Sequence, residues 1–150
     1  MTKTQTTALK IAAVLWVIWG LVHMLAGVLT IAQAPSGGFA AIADAVDPAL
    51  LVADYHSAVG GVLNQHGFNL LWIGLATVIG AVFIWRGTMT AIWVTAMVGG
   101  LADVGYFLFV DLPGYVNFFP GTVMTLISAT AIVLSLWVWL PIRRSVPASS

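Results

Sequence analysis

The chain has 150 residues, of which 61% are hydrophobic and 7% charged, with five basic and five acidic residues and no cysteine. So few charges cannot clothe a water-soluble surface, which in an ordinary domain draws on roughly a quarter of all residues; the mean hydropathy of +1.04 agrees. The missing cysteines exclude disulfides and thiolate chemistry, and without a basic patch to neutralise a run of phosphates, nucleic acid is excluded as a partner.

Four apolar runs follow one another, at about 11–32, 67–85, 89–109 and 122–140. Each supplies the roughly 20 residues needed to cross a hydrocarbon core about 30 Å thick. The prediction is a single transmembrane domain over residues 1–150: an all-α, integral membrane, up-down four-helix bundle with the lipid bilayer as its main partner. The first run follows Lys3 and Lys10 and ends near Ala32-Gln33-Ala34, which has the form of a signal-cleavage site. It is longer than the apolar region of a signal peptide, so it is read as a retained span. At about 100° per residue, Val14, Ile18, Leu21, Leu25 and Val28 form an aliphatic stripe suited to lipid. Ala12, Trp16, Trp19, Gly20, His23, Gly27 and Thr30 form the opposite, protein-facing side.

Between the first two spans lie the breaker runs Pro35-Ser36-Gly37-Gly38 and Asp47-Pro48. The intervening segment, about 39–64, is expected to form an extracytoplasmic lid. A helix from Pro48 to Asn64 would carry Asp47, Asp54, Ser57, Gly61 and Asn64 on one face and Val52, Tyr55, His56, Val59 and Leu63 on the other. Such an amphipathic helix lies flat with its apolar face down, which aims Tyr55 and His56 at the bundle. Asp44, Asp47 and Asp54 are then a solvated face.

In the second span His66, Asn69, Ala76 and Gly80 share a face. In the third, Val94, Met97, Val98, Leu101 and Leu108 suit lipid, while Ala96, Gly99, Gly100, Asp103, Tyr106 and Phe107 suit protein. In the fourth, Thr125, Ser128, Ala129, Ile132 and Ser135 face inward. Small residues on these faces let helix backbones approach, the usual source of packing energy in lipid.

Lys3, Lys10, Arg86, Arg143 and Arg144 all fall in segments that a four-span chain places on one side, and the opposite connections hold no cation. The positive-inside rule puts both termini in the cytoplasm, with a bacterial inner membrane as the expected location. Trp85, Trp93, Trp137 and Trp139 lie toward one interface, and Tyr55, Phe68, Phe109, Tyr115, Phe118 and Phe119 toward the other. Aromatic belts of this kind anchor a bundle at both membrane surfaces.

Asp103 stands out, because an acid within a span is costly and marks a functional site by default. It lies about 12 Å below the outer end of its helix, and His23 about 10 Å below its own, at 1.5 Å per residue. The two are therefore expected to be neighbours. With His56 and Tyr106 nearby and His66 one turn before Asn69, the candidate ligand-binding residues are His23, His56, His66, Asn69, Asp103 and Tyr106.

Three readings fit these residues. One is a non-catalytic or accessory protein whose inner polar residues serve packing, Asp103 and His23 satisfying each other while His56 and His66 lie at the outer rim, or which binds a small lipophilic ligand beneath the lid. The second is a redox or metal-dependent enzyme in which His23, His56, His66 and Asp103 hold a transition metal such as zinc, copper or iron. The third is proton-coupled transport through Asp103 and His23, which needs a homo-oligomer because four spans give too little wall for a path. No H-E-x-x-H or comparable catalytic spacing occurs, and no catalytic residue is assigned. In size, span count and the Gly20-x-x-His23 pattern of the first helix, the chain resembles the small four-helix DoxX-like bacterial membrane proteins. The resemblance implies the four-span layout; the redox roles suggested for some members of that group are carried to no residue here.

Overall fold

The computed structural model describes residues 1–43 and 48–144, and Asp44 and Asp47 lie outside that range. The described residues form helices α1 (Lys3–Ala32), α2 (Pro35–Ala43), α3 (Pro48–Val52), α4 (Ser57–Trp85), α5 (Met89–Tyr106) and α6 (Val123–Arg144), with no strand among them. Four segments are long and apolar enough to cross a membrane: Lys3–Ala32, Ser57–Trp85, Met89–Asp111 and Phe118–Pro141. The molecule is a multi-pass membrane protein built as a four-helix bundle.

Local chemistry sets where each helix begins. The Thr2 side chain accepts from the Gln5 backbone N–H while the Gln5 side chain accepts from the Thr2 backbone, a reciprocal cap that starts α1. Gly87, at φ 81°, turns the chain between α4 and α5, a conformation that costs glycine nothing. After Tyr106 the helix widens into a π turn over Phe107–Asp111. A second wide turn, Phe118–Thr122, leads into α6, and the Thr122 hydroxyl donates to Asp111 Oδ1 at 2.8 Å, joining the two turns.

Around the bundle, α1 packs on α4, α4 on α5, α5 on α6 and α6 on α1. Consecutive spans are neighbours, as short connections require, so α1 and α5 face each other across the diagonal. The α1–α4 seam is the tightest. A Cβ on Gly20 would stand 2.6 Å from the Gly74 carbonyl oxygen, and one on Gly27 would stand 2.5 Å from that of Gly67. The two glycines on each helix are seven residues apart, two turns, and so lie on one face. Backbone meets backbone there, and no side chain can be inserted.

The α1 faces are those the sequence predicts. Val14, Ile18, Leu21, Leu25 and Val28 are between 42% and 59% exposed, whereas Ala12, Trp16, Trp19 and Thr30 are at most 1% exposed. On α5, Gly99 and Asp103 are buried. Three expectations change. The buried face of α4 is Leu63, Gly67, Gly74, Thr77, Ala81 and Ile84 rather than the His66 face. Phe107 is exposed, because the π turn beginning there carries it off the inward face of α5. Ala129 is exposed while Ala131 and Val138 are fully buried, so the inward stripe of α6 runs through Ser128, Ala131, Ser135 and Val138.

The connection between the first two spans also departs from expectation. The helix predicted from Pro48 to Asn64 is interrupted: α3 ends at Val52, and α4 starts at Ser57, ten residues before the expected start of span two. His56 causes the restart, since its Nδ1 accepts from the Ala58 backbone N–H at 3.2 Å and caps α4. The covering element is α2, which packs on both α1 and α4. The Lys10 ammonium lies 5.1 Å from the centroid of the Trp85 ring, a cation–π contact tying the start of α1 to the end of α4. That end, with Lys3, Lys10 and Arg86, is called the basic end below, and the end covered by α2 the lid end.

Candidate functional site

The diagonal gap between α1 and α5 is filled from the basic end by large side chains. Trp16 lies against Gly99, where an added Cβ would come within 2.5 Å of its ring. Trp19, one turn on, meets Trp16 edge to face at a centroid distance of 5.7 Å and reaches Asp103. On the next turns α1 offers only His23 and Ala26, and α6 opposes them with Gly121 at its approach. Side-chain volume falls from layer to layer, and a cavity of about 80 Å³ lies there.

His23, His66, Asp103 and Tyr106 line that cavity together with apolar residues, among them Val22, Leu70 and Met124. Ala41 and Ile42 of α2 close it from the lid end. The volume accommodates several water-sized groups, since one water needs about 10–15 Å³ measured this way.

Asp103 is the anchor. It is 4% exposed, and its Oδ2 accepts from the Trp19 indole N–H at 2.8 Å and from the Ser128 hydroxyl. Groups from α1 and α6 thus hold one carboxylate oxygen in the middle of the bundle. The other, Oδ1, stands 4.0 Å from His23 Nε2, beyond direct hydrogen-bond reach. The predicted proximity of His23 and Asp103 is present, and both face the cavity.

The His23 ring is fixed on two sides. It stacks on the Trp19 indole with centroids 3.6 Å apart and planes 19° from parallel. Its Nδ1 lies 2.8 Å from the Trp19 carbonyl oxygen. A carbonyl only accepts, so Nδ1 carries the hydrogen, and in the neutral ring Nε2 is left with a lone pair. Nε2 is the ring atom that stands near Asp103 Oδ1. The pair therefore presents two acceptors to one space.

The remaining candidates sit elsewhere. His66 is exposed and reaches the cavity from its rim. His56, expected to point into the bundle, is exposed and engaged as the α4 cap, while Tyr55 packs on Phe39 at a centroid distance of 5.1 Å. Asn69 does not line the cavity; its Oδ1 accepts from the Trp72 indole at 3.1 Å. Among the described residues no three His, Asp or Glu side chains stand close enough to hold a metal ion. The donor set of the metal reading is not assembled, because His56 caps a helix and does not join His23.

Trp19 and Ser128 are the partners that sequence reasoning missed. A signal for the first was present: a buried indole N–H needs an acceptor, and the third span carries an acid. Toward the basic end the buried layer holds Leu9, Trp16, Ala81, Ile84, Ile92 and Val138, with Thr95 and Ser135 as buried hydroxyls that have no hydrogen-bond partner among the described residues. The cavity thus lies beneath α2 and is closed toward the basic end.

No family profile, curated protein or solved structure matches the chain.

Proposed function

We propose that this multi-pass membrane protein is a non-catalytic, accessory protein that binds a small lipophilic ligand in the cavity beneath α2. The observation that carries the reading is a cavity lined by apolar side chains that also encloses a buried carboxylate and an imidazole, neither of which meets the other directly. Small-molecule sites have this composition: mostly apolar walls with a few fixed polar groups that orient the ligand. The wall of large side chains below favours a pocket over a conduit, which weighs against the transport reading for a single subunit. The proposal keeps the resemblance to the DoxX-like proteins, which rests on span count and on Gly20 and His23. It places the basic end in the cytoplasm of a bacterial cell, by the distribution of cations.

Two experiments test it. Native mass spectrometry of the protein released from its membrane in mild detergent should detect a bound small molecule. Ala26→Phe, which fills the cavity, should lose that molecule while staying folded; equal retention by both proteins overturns the reading. For orientation, the chain has no native cysteine, so an introduced thiol is the only one. A membrane-impermeant maleimide added to intact cells should label Tyr115→Cys and leave Thr88→Cys unlabelled; the reverse pattern overturns the cytoplasmic assignment.

A further inference from the structure

The chemistry of the ligand head follows from what the cavity presents. Resting on the ligand-binding reading above, we propose that the ligand is an amphiphile whose polar head is a hydrogen-bond donor, an alcohol or a protonated amine, seated between His23 Nε2 and Asp103 Oδ1 with its alkyl portion against Leu70, Ile42 and Met124. Three observations converge on it. The Trp19 carbonyl fixes the hydrogen on His23 Nδ1, which leaves Nε2 as an acceptor. The Trp19 and Ser128 donors both go to Asp103 Oδ2, so neither occupies Oδ1 of this cavity-lining residue. The 4.0 Å between the two atoms is too long for a direct bond and short enough for one donor atom, lying off the line that joins them, to reach both.

Two acceptors facing each other in a low-dielectric space are complementary to N–H or O–H and antagonistic to another acceptor. A carboxylate or phosphate head would add a third set of lone pairs and, with the acid ionised, like charge. Among the described residues no lysine or arginine shares this end of the bundle, since Lys3, Lys10 and Arg86 belong to the opposite one. An ammonium head brings both the donors and the missing positive charge, while an alcohol brings a donor alone.

The test uses three photoreactive probes of identical chain: octanol, octylamine and octyl methyl ether, each with a diazirine on the same carbon. They are added to the full protein in lipid nanodiscs, followed by illumination and peptide mapping of Val22, Ala26 and Met124. The donor-headed probes should label these residues about tenfold more than the ether, the advantage expected of a hydrogen bond to a charged acceptor. Amine above alcohol identifies the ammonium as the source of the donor, and alcohol at or above amine identifies the hydroxyl. Asp103→Asn should shrink the preference over the ether. His23→Phe, which keeps an aromatic ring on Trp19 but removes Nε2, should do the same in a variant whose carboxylate clamp is intact. Equal labelling by all three probes overturns the donor-head inference and leaves the pocket standing. No labelling of the cavity by any probe overturns the ligand-binding reading with it.

Discussion

The two halves of the bundle use the same four helices and reach opposite results. Toward the basic end the diagonal between α1 and α5 is closed by Trp16 against Gly99, with Leu9, Ile84, Ile92 and Val138 buried around it. Toward the lid end the same diagonal is spanned by Asp103, His23 and a cavity. The glycine seam joins α1 and α4 from the Asp103 layer to the lid end, through Gly20–Gly74 and Gly27–Gly67. The two halves differ in what fills the diagonal. A four-helix membrane protein makes a pocket by reducing side-chain volume along one inward stripe, here from Trp16 through Trp19 and His23 to Ala26.

Removing bulk from the closed half is the strongest way to break that comparison. Trp16 is 1% exposed and sits against backbone at Gly99, so Trp16→Ala leaves a void that neighbouring helices cannot fill. The expected loss is about 3–5 kcal/mol, the usual range for a buried tryptophan truncated to alanine, read from unfolding in mixtures of mild detergent and sodium dodecyl sulfate. A loss under about 1 kcal/mol would mean that the half described as closed already tolerates a void.

Asp103→Ala comes next. It leaves the Trp19 N–H without its acceptor, while the Ser128 hydroxyl keeps the Thr125 carbonyl oxygen at 3.1 Å; an unsatisfied buried donor costs roughly 1–3 kcal/mol, and the truncated side chain leaves a void besides. A net loss of about 3 kcal/mol is expected in the same unfolding assay. Trp19→Phe is gentler. It keeps a ring under His23 and removes a single donor to the carboxylate, for about 2 kcal/mol. Measuring both variants and their double separates the shared bond from the rest: if the acid and the indole act through one another, the two losses will not add. Additive losses would show that Asp103 is held by Ser128 alone.

How much of this was legible depends on what each helix is made of. The faces of α1 could be assigned because bulky aliphatic residues alternate with Trp, Gly and His at helical spacing. On α4 nearly every residue is apolar or small, and hydropathy does not distinguish a lipid-facing leucine from one packed on protein. The informative feature there was the pair Gly67 and Gly74 matching Gly20 and Gly27, which becomes visible only when two antiparallel helices are laid together. His23 and Asp103 were placed at one depth by counting residues from the span ends. Their partners were not, since Trp19 and Ser128 come from other helices and bond to Asp103 through rotamers that no periodicity encodes. The break within the lid segment is not legible, because the polar and apolar faces of 48–64 continue in helical register across a gap between α3 and α4 where one side chain, His56, turns back to cap the following helix.

The smallest expected effect concerns the two hydroxyls of the closed half. Thr95 and Ser135 are 2% and 1% exposed, and their oxygens have no hydrogen-bond partner among the described residues. A buried hydroxyl without a partner costs free energy relative to an apolar group of the same shape, so Thr95→Val should be neutral or stabilising by up to about 1 kcal/mol. Valine keeps the branch that fills the space beside Gly80, where no Cβ fits. Ser135→Ala removes an oxygen and should change stability by less than about 1 kcal/mol in either direction, the small void offsetting the relieved hydroxyl. These two sites are also the polar groups on which a path toward the basic end would have to depend. Destabilisation by more than about 1 kcal/mol in Thr95→Val would show that its hydroxyl has a buried partner after all, and the contrast between a sealed half and an open one would weaken at that point.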